Sequence, residues 1–366
     1  MSVFEQNIIR LPKPNYEYIT TEEAARTALS DIANHSIIEV DSETTSLDPY
    51  LGKISLLQIG VPNKAYVFDV RSDTEHSTVD LEIFKPLLTD PKILKLLQNA
   101  VFDMKYIKRH GGYYINNIYD TMLVEQLFTL GLGWAKADLG SLVRRYMGIT
   151  LDKEPRDTFT DYGQVFKPFQ LEYAANDVLV LNMLRSLQMP RIQQEGFENV
   201  CRLEFEFTKP MCEMELNGIT FDVNKHRTIL EDIEADRKKH GKMVADLLSA
   251  TEDQTTLFGV SLINIDSNVQ LKKALKKYGL ELDSTDVGVL GKFAGVPVID
   301  ELLAYRKSQK FISTYGETLI AKINEITGRL HTEFRQMVST GRMSSSSPNL
   351  QNIPKKQIYR SCYVAK

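Results

Sequence analysis

The stretch that decides the fold is residues 37–48, which read I-I-E-V-D-S-E-T-T-S-L-D. The apolar and β-branched run at its start predicts a buried strand that leads into Asp41-Ser42-Glu43. Side chains alternate between the two faces of a strand, so the carboxylates of Asp41 and Glu43 point to the same side. Two like charges this close are unfavourable unless a cation or water screens them. Taken alone, the pattern fits a polar strand end as well as a cation site.

Similar short apolar runs follow this strand at residues 54–59, 65–68 and 93–97. Runs of this length, bounded by turn residues, predict further buried strands. From Asp103 onward the apolar residues recur with the period of a helix. This order of elements indicates an α/β protein with a mixed sheet flanked by helices.

Residues 168–188 predict a helix, because their apolar residues step by three and four and form one stripe. Tyr173 and Asp177 are four residues apart and therefore lie on a common edge beside that stripe. We expect Pro190 to end this helix and to lie close to a domain boundary.

Acidic residues recur at the ends of the predicted buried elements. Asp103 follows an apolar strand by a few residues, and Asp177 shares its helix with Tyr173. Together with Asp41 and Glu43 they form an oxygen-rich set suited to hard divalent cations such as Mg²⁺ or Mn²⁺, although spacing alone does not bring them together. Two further acidic residues near element ends are interpreted as caps or solvated groups: Asp69 and Asp120.

The charge is unevenly distributed along the chain. Its 366 residues include 44 Lys and Arg against 48 Asp and Glu, a net charge of −4. Residues 1–195 hold 20 basic and 26 acidic residues, whereas residues 301–366 hold 11 basic and 4 acidic ones. An acidic first part and a basic end indicate one region that holds cations and another that holds a polyanion.

The composition narrows the class of protein. Hydrophobic residues make up 43% and charged residues 25% of the sequence, an ordinary balance for a globular chain of two or three domains. The three cysteines form no C-x-x-C pair, which argues against a disulfide framework and a structural zinc site. No apolar run approaches the roughly 18 residues of a membrane span, and the first residues lack the apolar stretch of a signal peptide. These features exclude the secreted, membrane and disordered classes, and we expect a cytoplasmic protein.

Three motifs resemble those of the DEDD 3′→5′ exonucleases, in their tyrosine subtype. They are D-x-E at residues 41–43, an Asn followed by an aromatic-Asp pair at residues 99–103, and Y-x-x-x-D at residues 173–177. The resemblance implies a ribonuclease H-like mixed sheet and a site for two divalent ions, Mg²⁺ or Mn²⁺. It assigns the metal ligands to four carboxylates: Asp41, Glu43, Asp103 and Asp177.

The same resemblance implies roles for neighbouring residues. The tyrosine of the family orients the attacking water, which gives Tyr173 that role. A phenol is a poor base near neutral pH, so positioning fits better than proton abstraction. Leu47 and Phe102 would contact the terminal base, and Asn99 would contact the frayed strand. For Leu47, a packed loop residue without DNA contact is an equally good interpretation.

The second half of the chain resembles the family A DNA polymerases. Residues 214–222 resemble the M-E-x-x-G-I-x-x-D segment, residues 305–315 the Y-R-x-x-K-x-x-S-T-Y helix, and residues 340–354 the T-G-R-L-S-S-x-x-P-N-L-Q-N-I-P motif. The resemblance implies DNA contacts by basic and amide side chains, which suit phosphates and minor-groove acceptors. The candidates are Arg306, Lys310, Arg342, Asn349, Gln351 and Asn352.

The sequence departs from that family where its polymerase carboxylates are expected. In the family the basic segment at residues 355–366 leads into a strand that ends in a metal-binding Asp, followed by the fingers and a second carboxylate motif. These motifs are not among the 366 residues. We therefore hypothesise that a second polypeptide supplies palm and fingers, as in a split polymerase; an artificial truncation is the alternative.

We interpret residues 1–192 as the exonuclease domain, residues 193–298 as a thumb-like helical region, and residues 299–366 as the thumb base and the start of the palm. The expected function is proofreading during DNA replication. Its DNA partner is a single-stranded or frayed 3′ end at the exonuclease site and a primer–template duplex at thumb and palm. The alternatives are a stand-alone exonuclease of the ribonuclease D type and a non-catalytic DNA-binding subunit of a replication complex.

Overall fold

A computed structural model describes residues 11–152, 154–249 and 263–365. The chain divides into two compact units. Unit 1 comprises Met1–Asn217 and Glu333–Ser346, and unit 2 comprises Gly218–Thr332 and Ser347–Lys366. Among the described residues, no helix is both long enough and apolar enough to cross a membrane. The three functional domains expected from the sequence stay a prediction.

The elements follow one another in a mixed order. The strands of the described residues are β1 (Tyr16–Ile19), β2 (Ile37–Thr44), β3 (Ile54–Val61), β4 (Lys64–Asp69), β5 (Leu94–Leu97), β6 (Ile118–Asp120), β7 (Ile219–Phe221), β8 (Arg329–Leu330), β9 (Glu333–Arg335), β10 (Ser344–Ser346) and β11 (Tyr363–Val364). The α-helices are α1 (Glu22–Ile32), α2 (Lys85–Thr89), α3 (Ala100–Gly111), α4 (Thr121–Phe128), α5 (Leu139–Met147), α6 (Pro168–Leu179), α7 (Leu181–Glu195), α8 (Glu198–Asn217), α9 (Val223–Ser249), α10 (Asn268–Lys277), α11 (Val287–Leu290), α12 (Pro297–Tyr315), α13 (Glu317–Ile320) and α14 (Gln357–Arg360). Short 3₁₀ helices lie at Leu81–Phe84, Glu154–Thr158 and Gly291–Phe293.

In the described part of unit 1, six strands form a mixed sheet in the order β1-β4-β3-β2-β5-β6. The β2–β3 and β3–β4 pairs are antiparallel, whereas β1–β4, β2–β5 and β5–β6 are parallel. All eight residues of β3 are buried, because helices cover both faces of the sheet. The predicted α/β class with a mixed sheet flanked by helices is confirmed.

The two faces of the sheet differ in what covers them. Helices α1 and α3 pack on one face together with Leu57 and Ile59 of β3. Helix α6 packs on the other face, which carries Leu56 of β3 and Val67 of β4. Because side chains alternate along β3, neighbouring residues of this strand belong to different cores.

The prediction that Pro190 ends a helix is wrong. The predicted helix breaks earlier, between α6 and α7 at Val180, and α7 continues past Pro190 to Glu195. A proline inside a helix removes one backbone hydrogen bond. Ile192, two residues further on, is only 2% exposed, and burial of that side chain helps to keep the last turn of α7 in place.

A hairpin from near the end of the chain completes unit 1. Strands β9 and β10 pair antiparallel, with Ser345 opposite Phe334. The hairpin contacts α8 through the backbone N–H of Phe334, which donates to Glu215 Oε1 at 2.6 Å, and through Gln336 Nε2, which donates to the Glu204 carbonyl at 2.6 Å. Strand β10 thus lies within the polymerase-like motif of residues 340–354.

Unit 2 is mainly helical. Helices α9 and α12 pack lengthwise, and one core gathers Val244, Leu275 and Leu302 with neighbouring apolar residues. A small antiparallel sheet in the order β11-β7-β8 borders a second core. Helix α12 ends at Tyr315, because the backbone leaves the helical conformation at Gly316, whose ψ is −146°. Glycine suits this position, since a Cβ there would lie 2.3 Å from the Ile312 carbonyl oxygen.

Candidate active site

Strand β2 places two carboxylates on one face of the sheet. Asp41 pairs with Gln58 of β3, and Glu43 pairs with Leu56. Leu56 belongs to the face that α6 covers, so Asp41 and Glu43 point towards α6. The predicted strand and the shared side of the two carboxylates are thus found in the structure.

Helix α6 brings a third carboxylate to this pair. Carboxylate oxygens of Asp41, Glu43 and Asp177 all lie within 4.8 Å of one another. The helix approaches the sheet closely because Ala174 and Ala175, which are fully buried, present only small side chains to it. We call these three carboxylates the acidic trio.

Asp103 lies beside the trio rather than in it. It is 2% exposed, and its Oδ1 accepts a hydrogen bond of 2.6 Å from Ser42 Oγ. Ser42 alternates with Asp41 and Glu43 along β2, so it points to the face that α3 covers. Asp103 nevertheless raises the pKa of Glu43, which shows that the two carboxylates interact electrostatically.

The charges of the site are poorly compensated within the protein. Burial raises the pKa of Asp41 to about 6, and burial followed by the neighbouring carboxylates raises the pKa of Glu43 well above its ordinary value. Burial and then Asp41 do the same to the pKa of Asp103. The exposed Arg156 acts in the opposite direction on Asp41 and Glu43. Clustered, partly buried carboxylates of this kind are the oxygen ligands that hard divalent cations prefer.

Tyr173 is held next to the acidic trio by packing. Its ring centroid lies 6.1 Å from that of Phe159, which is 1% exposed. Burial, followed by the charges of Asp177 and Glu43, raises the pKa of the Tyr173 phenol. The hydroxyl therefore stays protonated at neutral pH and can donate a hydrogen bond.

The segment before α3 is fixed by a buried carboxylate. Asp120 accepts hydrogen bonds from the backbone N–H of Asn99, Ala100 and Met122, at 3.1, 2.7 and 2.8 Å. Its interpretation as a cap is confirmed, because it caps α4. Asn99 has φ of 65°, a left-handed conformation that asparagine tolerates better than most residues.

Asp69 is neither a cap nor a solvated group, which corrects its interpretation. It is fully buried and forms an ion pair of 2.6 Å with Arg71, whose side chain is 1% exposed. The guanidinium also donates to the carbonyls of Tyr162 and Gln164, both at 2.7 Å. This network ties β4 to the segment that leads into α6.

Leu47 and Phe102, the residues expected to contact the terminal base, both lie near Tyr106. Leu47 is 72% exposed in the turn after β2, and Tyr106 donates to the carbonyl of neighbouring Ser46. The ring of Phe102 lies 5.2 Å from the ring of Tyr106. Leu47 is therefore not a packed loop residue, and its contact with DNA stays a prediction.

The predicted DNA-contacting residues of the second half have different surroundings. Arg306 donates to the Thr285 carbonyl and to Asn268 Oδ1, whereas Lys310 is exposed on the same helix. The structure exposes the side chains of Arg342 in unit 1 and of three amides in unit 2: Asn349, Gln351 and Asn352.

Two residues near the trio escaped the sequence interpretation. Arg156 lies in a 3₁₀ helix without a recognisable motif, so its nearness to Asp41 had no sequence signal. Gln58 is fully buried opposite Asp41, and neither of its amide atoms has a hydrogen-bond partner in the described structure. The sequence did offer a signal for Gln58, because it is a polar residue within the apolar run of β3.

Comparisons with known proteins agree with this arrangement. Residues 16–189 match the family model described as 3′-5′ exonuclease, and residues 234–366 match the one described as DNA polymerase family A. The DNA polymerase I of Aquifex aeolicus is 29% identical over 364 residues, covering 93% of this chain and 58% of that protein. The DNA polymerase of Escherichia phage T5 is 27% identical over 395 residues, covering 96% of this chain and 45% of that protein.

One solved structure shares the fold of most of the chain. It is the POL domain of Pol1 from M. smegmatis in complex with DNA primer-template and dNTP, with a TM-score of 0.72 and 22% sequence identity. The match covers 96% of this chain and 59% of that one. The present chain thus spans about half the length of the polymerases it matches.

Residues 16–189, which hold the acidic trio, thus resemble a 3′–5′ exonuclease domain, and residues 234–366 resemble a family A DNA polymerase. The chain is similar to DNA polymerases I over nearly its whole length. An exonuclease domain of this kind implies the use of divalent metal, and the trio supplies an acidic cluster for it.

Proposed function

We propose that this chain removes nucleotides from DNA 3′ ends by metal-dependent hydrolysis and serves as the proofreading exonuclease of a family A polymerase in DNA replication. The observation that carries the proposal is the acidic trio, whose carboxylate oxygens lie within 4.8 Å of one another inside the segment that matches the exonuclease model. The family A match over residues 234–366 favours a polymerase-linked exonuclease over a stand-alone enzyme of the ribonuclease D type.

The carboxylates would hold two Mg²⁺ or Mn²⁺ ions. The trio supplies three of the proposed ligands, and Asp103 supplies the fourth from its place against Ser42. Bound divalent ions lower the pKa of a water molecule and stabilise the charge of the leaving 3′ oxygen. Burial raises the pKa of Asp41 and, together with neighbouring carboxylates, that of Glu43, and a bound cation would offset the negative charge gathered there.

Tyr173 orients the attacking water in this proposal. Its phenol keeps its proton at neutral pH, so it donates a hydrogen bond instead of accepting a proton. Leu47 and Phe102 contact the terminal base, and the exposed side chain of Asn99 contacts the frayed strand. The conformation of Asn99 is set by the backbone, which leaves its amide available.

The second half binds primer–template duplex in this proposal. Lys310 and Arg306 of α12 contact phosphates, and the exposed side chains of residues 342–352 contact the primer end. The candidates there are Arg342, Asn349, Gln351 and Asn352. Residues 193–298 act as the thumb, and residues 299–366 act as the thumb base and the start of the palm.

Nucleotide addition would need the palm and fingers motifs in addition to these residues. The split-polymerase hypothesis assigns them to a second polypeptide, with both acting in the cytoplasm of a bacterial or phage-infected cell. The coding sequence downstream and purification of the native protein test this hypothesis. A polymerase-like polypeptide that copurifies would support it, and one continuous longer chain in the native protein would contradict it.

The experiment for the exonuclease compares the wild type with Asp41→Ala on a single-stranded DNA labelled at its 5′ end. We expect the wild type to shorten the DNA from its 3′ end with Mg²⁺ or Mn²⁺ and to stop in excess chelator. Asp41→Ala should lose this activity, whereas the matched control Glu82→Gln, an exposed acidic residue of unit 1, should retain it. Unchanged digestion by Asp41→Ala would exclude the site, and an inactive wild type that still binds DNA would favour a non-catalytic subunit. RNA of the same sequence tests the preference for DNA.

A further inference from the structure

The loop between α4 and α5 exposes an unusual amount of apolar surface. We call residues 129–138 the Trp134 loop. Leu130 is 43% exposed, Leu132 is 46% exposed, and Trp134, the single tryptophan of the chain, is 73% exposed. Exposed apolar groups that cluster in this way mark interaction sites more often than isolated ones do.

Hydrogen bonds to backbone carbonyls order the Trp134 loop. Leu132 N–H donates to the Thr129 carbonyl at 2.9 Å, and Ala135 N–H donates to the Leu132 carbonyl at 3.1 Å. Arg145 Nη2 donates to the Lys136 carbonyl at 2.9 Å. A platform with its backbone already ordered loses little conformational entropy when it binds a ligand.

One hydrogen bond ties the loop to the edge of the candidate active site. Gln98 Nε2 donates to the Ala137 carbonyl at 2.7 Å. Gln98 is followed directly by Asn99, after which α3 carries Asp103. Trp134 is three residues from Ala137, so its Cα lies within about 11 Å of this contact.

The other side of the loop approaches the β9–β10 hairpin of the same unit. A Cβ at Gly341 would lie 3.7 Å from Leu130 Cδ2, and a Cβ at Gly131 would lie 3.8 Å from the Ser339 carbonyl oxygen. Arg342 follows Gly341 and is exposed, as is Lys136 on the loop itself. Two exposed cations thus belong to the Trp134 loop and to the hairpin that it approaches.

We propose that the Trp134 loop binds single-stranded DNA, with the Trp134 indole stacked on a base of the strand whose 3′ end lies at the acidic trio. Lys136 contacts the phosphates of the same strand. Aromatic side chains interleaved with cations bind single strands without sequence preference, because each base offers a π face. The hydrogen bond between the loop and Gln98, the residue before the proposed DNA contact Asn99, favours DNA over a protein partner. The inference rests on the proposed exonuclease function.

The single tryptophan makes the test direct. An oligothymidylate of about 12 nucleotides is added in excess chelator, which prevents digestion. We expect saturable quenching of the Trp134 fluorescence. In parallel, anisotropy of a labelled oligothymidylate should show that Trp134→Ala binds roughly 5- to 100-fold more weakly than the wild type. Trp134→Phe, which keeps an aromatic ring, should retain most of the affinity.

The controls separate this inference from the exonuclease itself. Leu203→Ala, which truncates an exposed apolar side chain of α8, should bind DNA as the wild type does. Wild-type affinity of Trp134→Ala, in a protein that digests 3′ ends, would overturn the role of the loop and leave the exonuclease standing. If Trp134→Ala instead changes only the sedimentation of the protein, the loop is a contact between copies of the chain and the inference is wrong. A wild type that binds DNA without digesting it under Mg²⁺ contradicts the exonuclease and not the loop.

Discussion

Replacing Arg71 with methionine perturbs the most completely buried ion pair that the structure shows in its described residues. The guanidinium contacts both oxygens of Asp69, at 2.8 and 2.6 Å, and donates to the carbonyls of Tyr162 and Gln164. It also lies 4.2 Å from the ring centroid of Phe166. Methionine can fill much of the volume, but it supplies none of these hydrogen bonds.

The expected loss is about 3–5 kcal/mol, because removal of one partner leaves the buried Asp69 charge without compensation. For a unit of this size each kcal/mol corresponds to about 2–4 °C, so the melting temperature of unit 1 should fall by roughly 6–20 °C. The carbonyls of Tyr162 and Gln164 also lose their hydrogen-bond donor, so we expect a loss of stability towards the upper end of this range. The double variant Asp69→Leu with Arg71→Met should recover part of the loss, since no isolated charge remains.

The assay is urea and thermal unfolding followed by circular dichroism and by the fluorescence of Trp134, which belongs to unit 1. The matched control is Lys53→Met, which removes an ion pair of 2.6 Å with Asp73 whose side chains are 51% and 55% exposed. An exposed pair contributes about 0–1 kcal/mol. If Arg71→Met costs no more than Lys53→Met, the reasoning about the buried network is refuted.

Two further predictions concern the acidic trio and the neighbouring Tyr173. Burial raises the pKa of Asp41 to about 6, so the folded protein holds this proton more tightly than the unfolded chain. The stability of the metal-free protein should therefore fall as pH rises from about 4 to 6, and Mg²⁺ should raise the melting temperature more at pH 7.5 than at pH 5. Equal shifts at both pH values would contradict this. Tyr173→Phe keeps the ring and removes the hydroxyl, so it should lower kcat about 10- to 100-fold with little change in melting temperature. Because burial raises the pKa of Tyr173, the wild type should show no loss of activity from phenol ionisation up to pH 9. A loss of activity that Tyr173→Phe shows as well has another cause. A loss that is absent from Tyr173→Phe would refute the raised pKa of this phenol.

Local pattern was sufficient for the parts of the site that lie on one element. The alternation of β2 places Asp41 and Glu43 on one side, and the spacing on α6 places Tyr173 near Asp177. Both follow from the periods of strand and helix, which the sequence displays directly. The meeting of α6 with β2 depends instead on packing between distant segments, and the motif resemblance was needed to anticipate it.

Features set by tertiary contacts escaped the sequence. The sequence predicts a cap or a solvated group at Asp69, but this residue is buried in an ion pair with Arg71, two residues away. Arg156 has no pattern around it that points to the carboxylates. The left-handed Asn99 is held by Asp120, which is 21 residues away in the chain. Such contacts depend on which segments pack together, and periodicity carries no information about that.

The composition of unit 1 from two separate stretches of chain has a consequence for the order in which the protein folds during synthesis. The β9–β10 hairpin is made only after residues 218–332, which belong entirely to unit 2. Until it emerges from the ribosome, the backbone N–H of Phe334 cannot reach Glu215, although Lys105 Nζ can already pair with that carboxylate at 2.5 Å. The six-stranded sheet can thus assemble early, whereas the contacts of α8 with the hairpin form only after residues 333–346 have been synthesised.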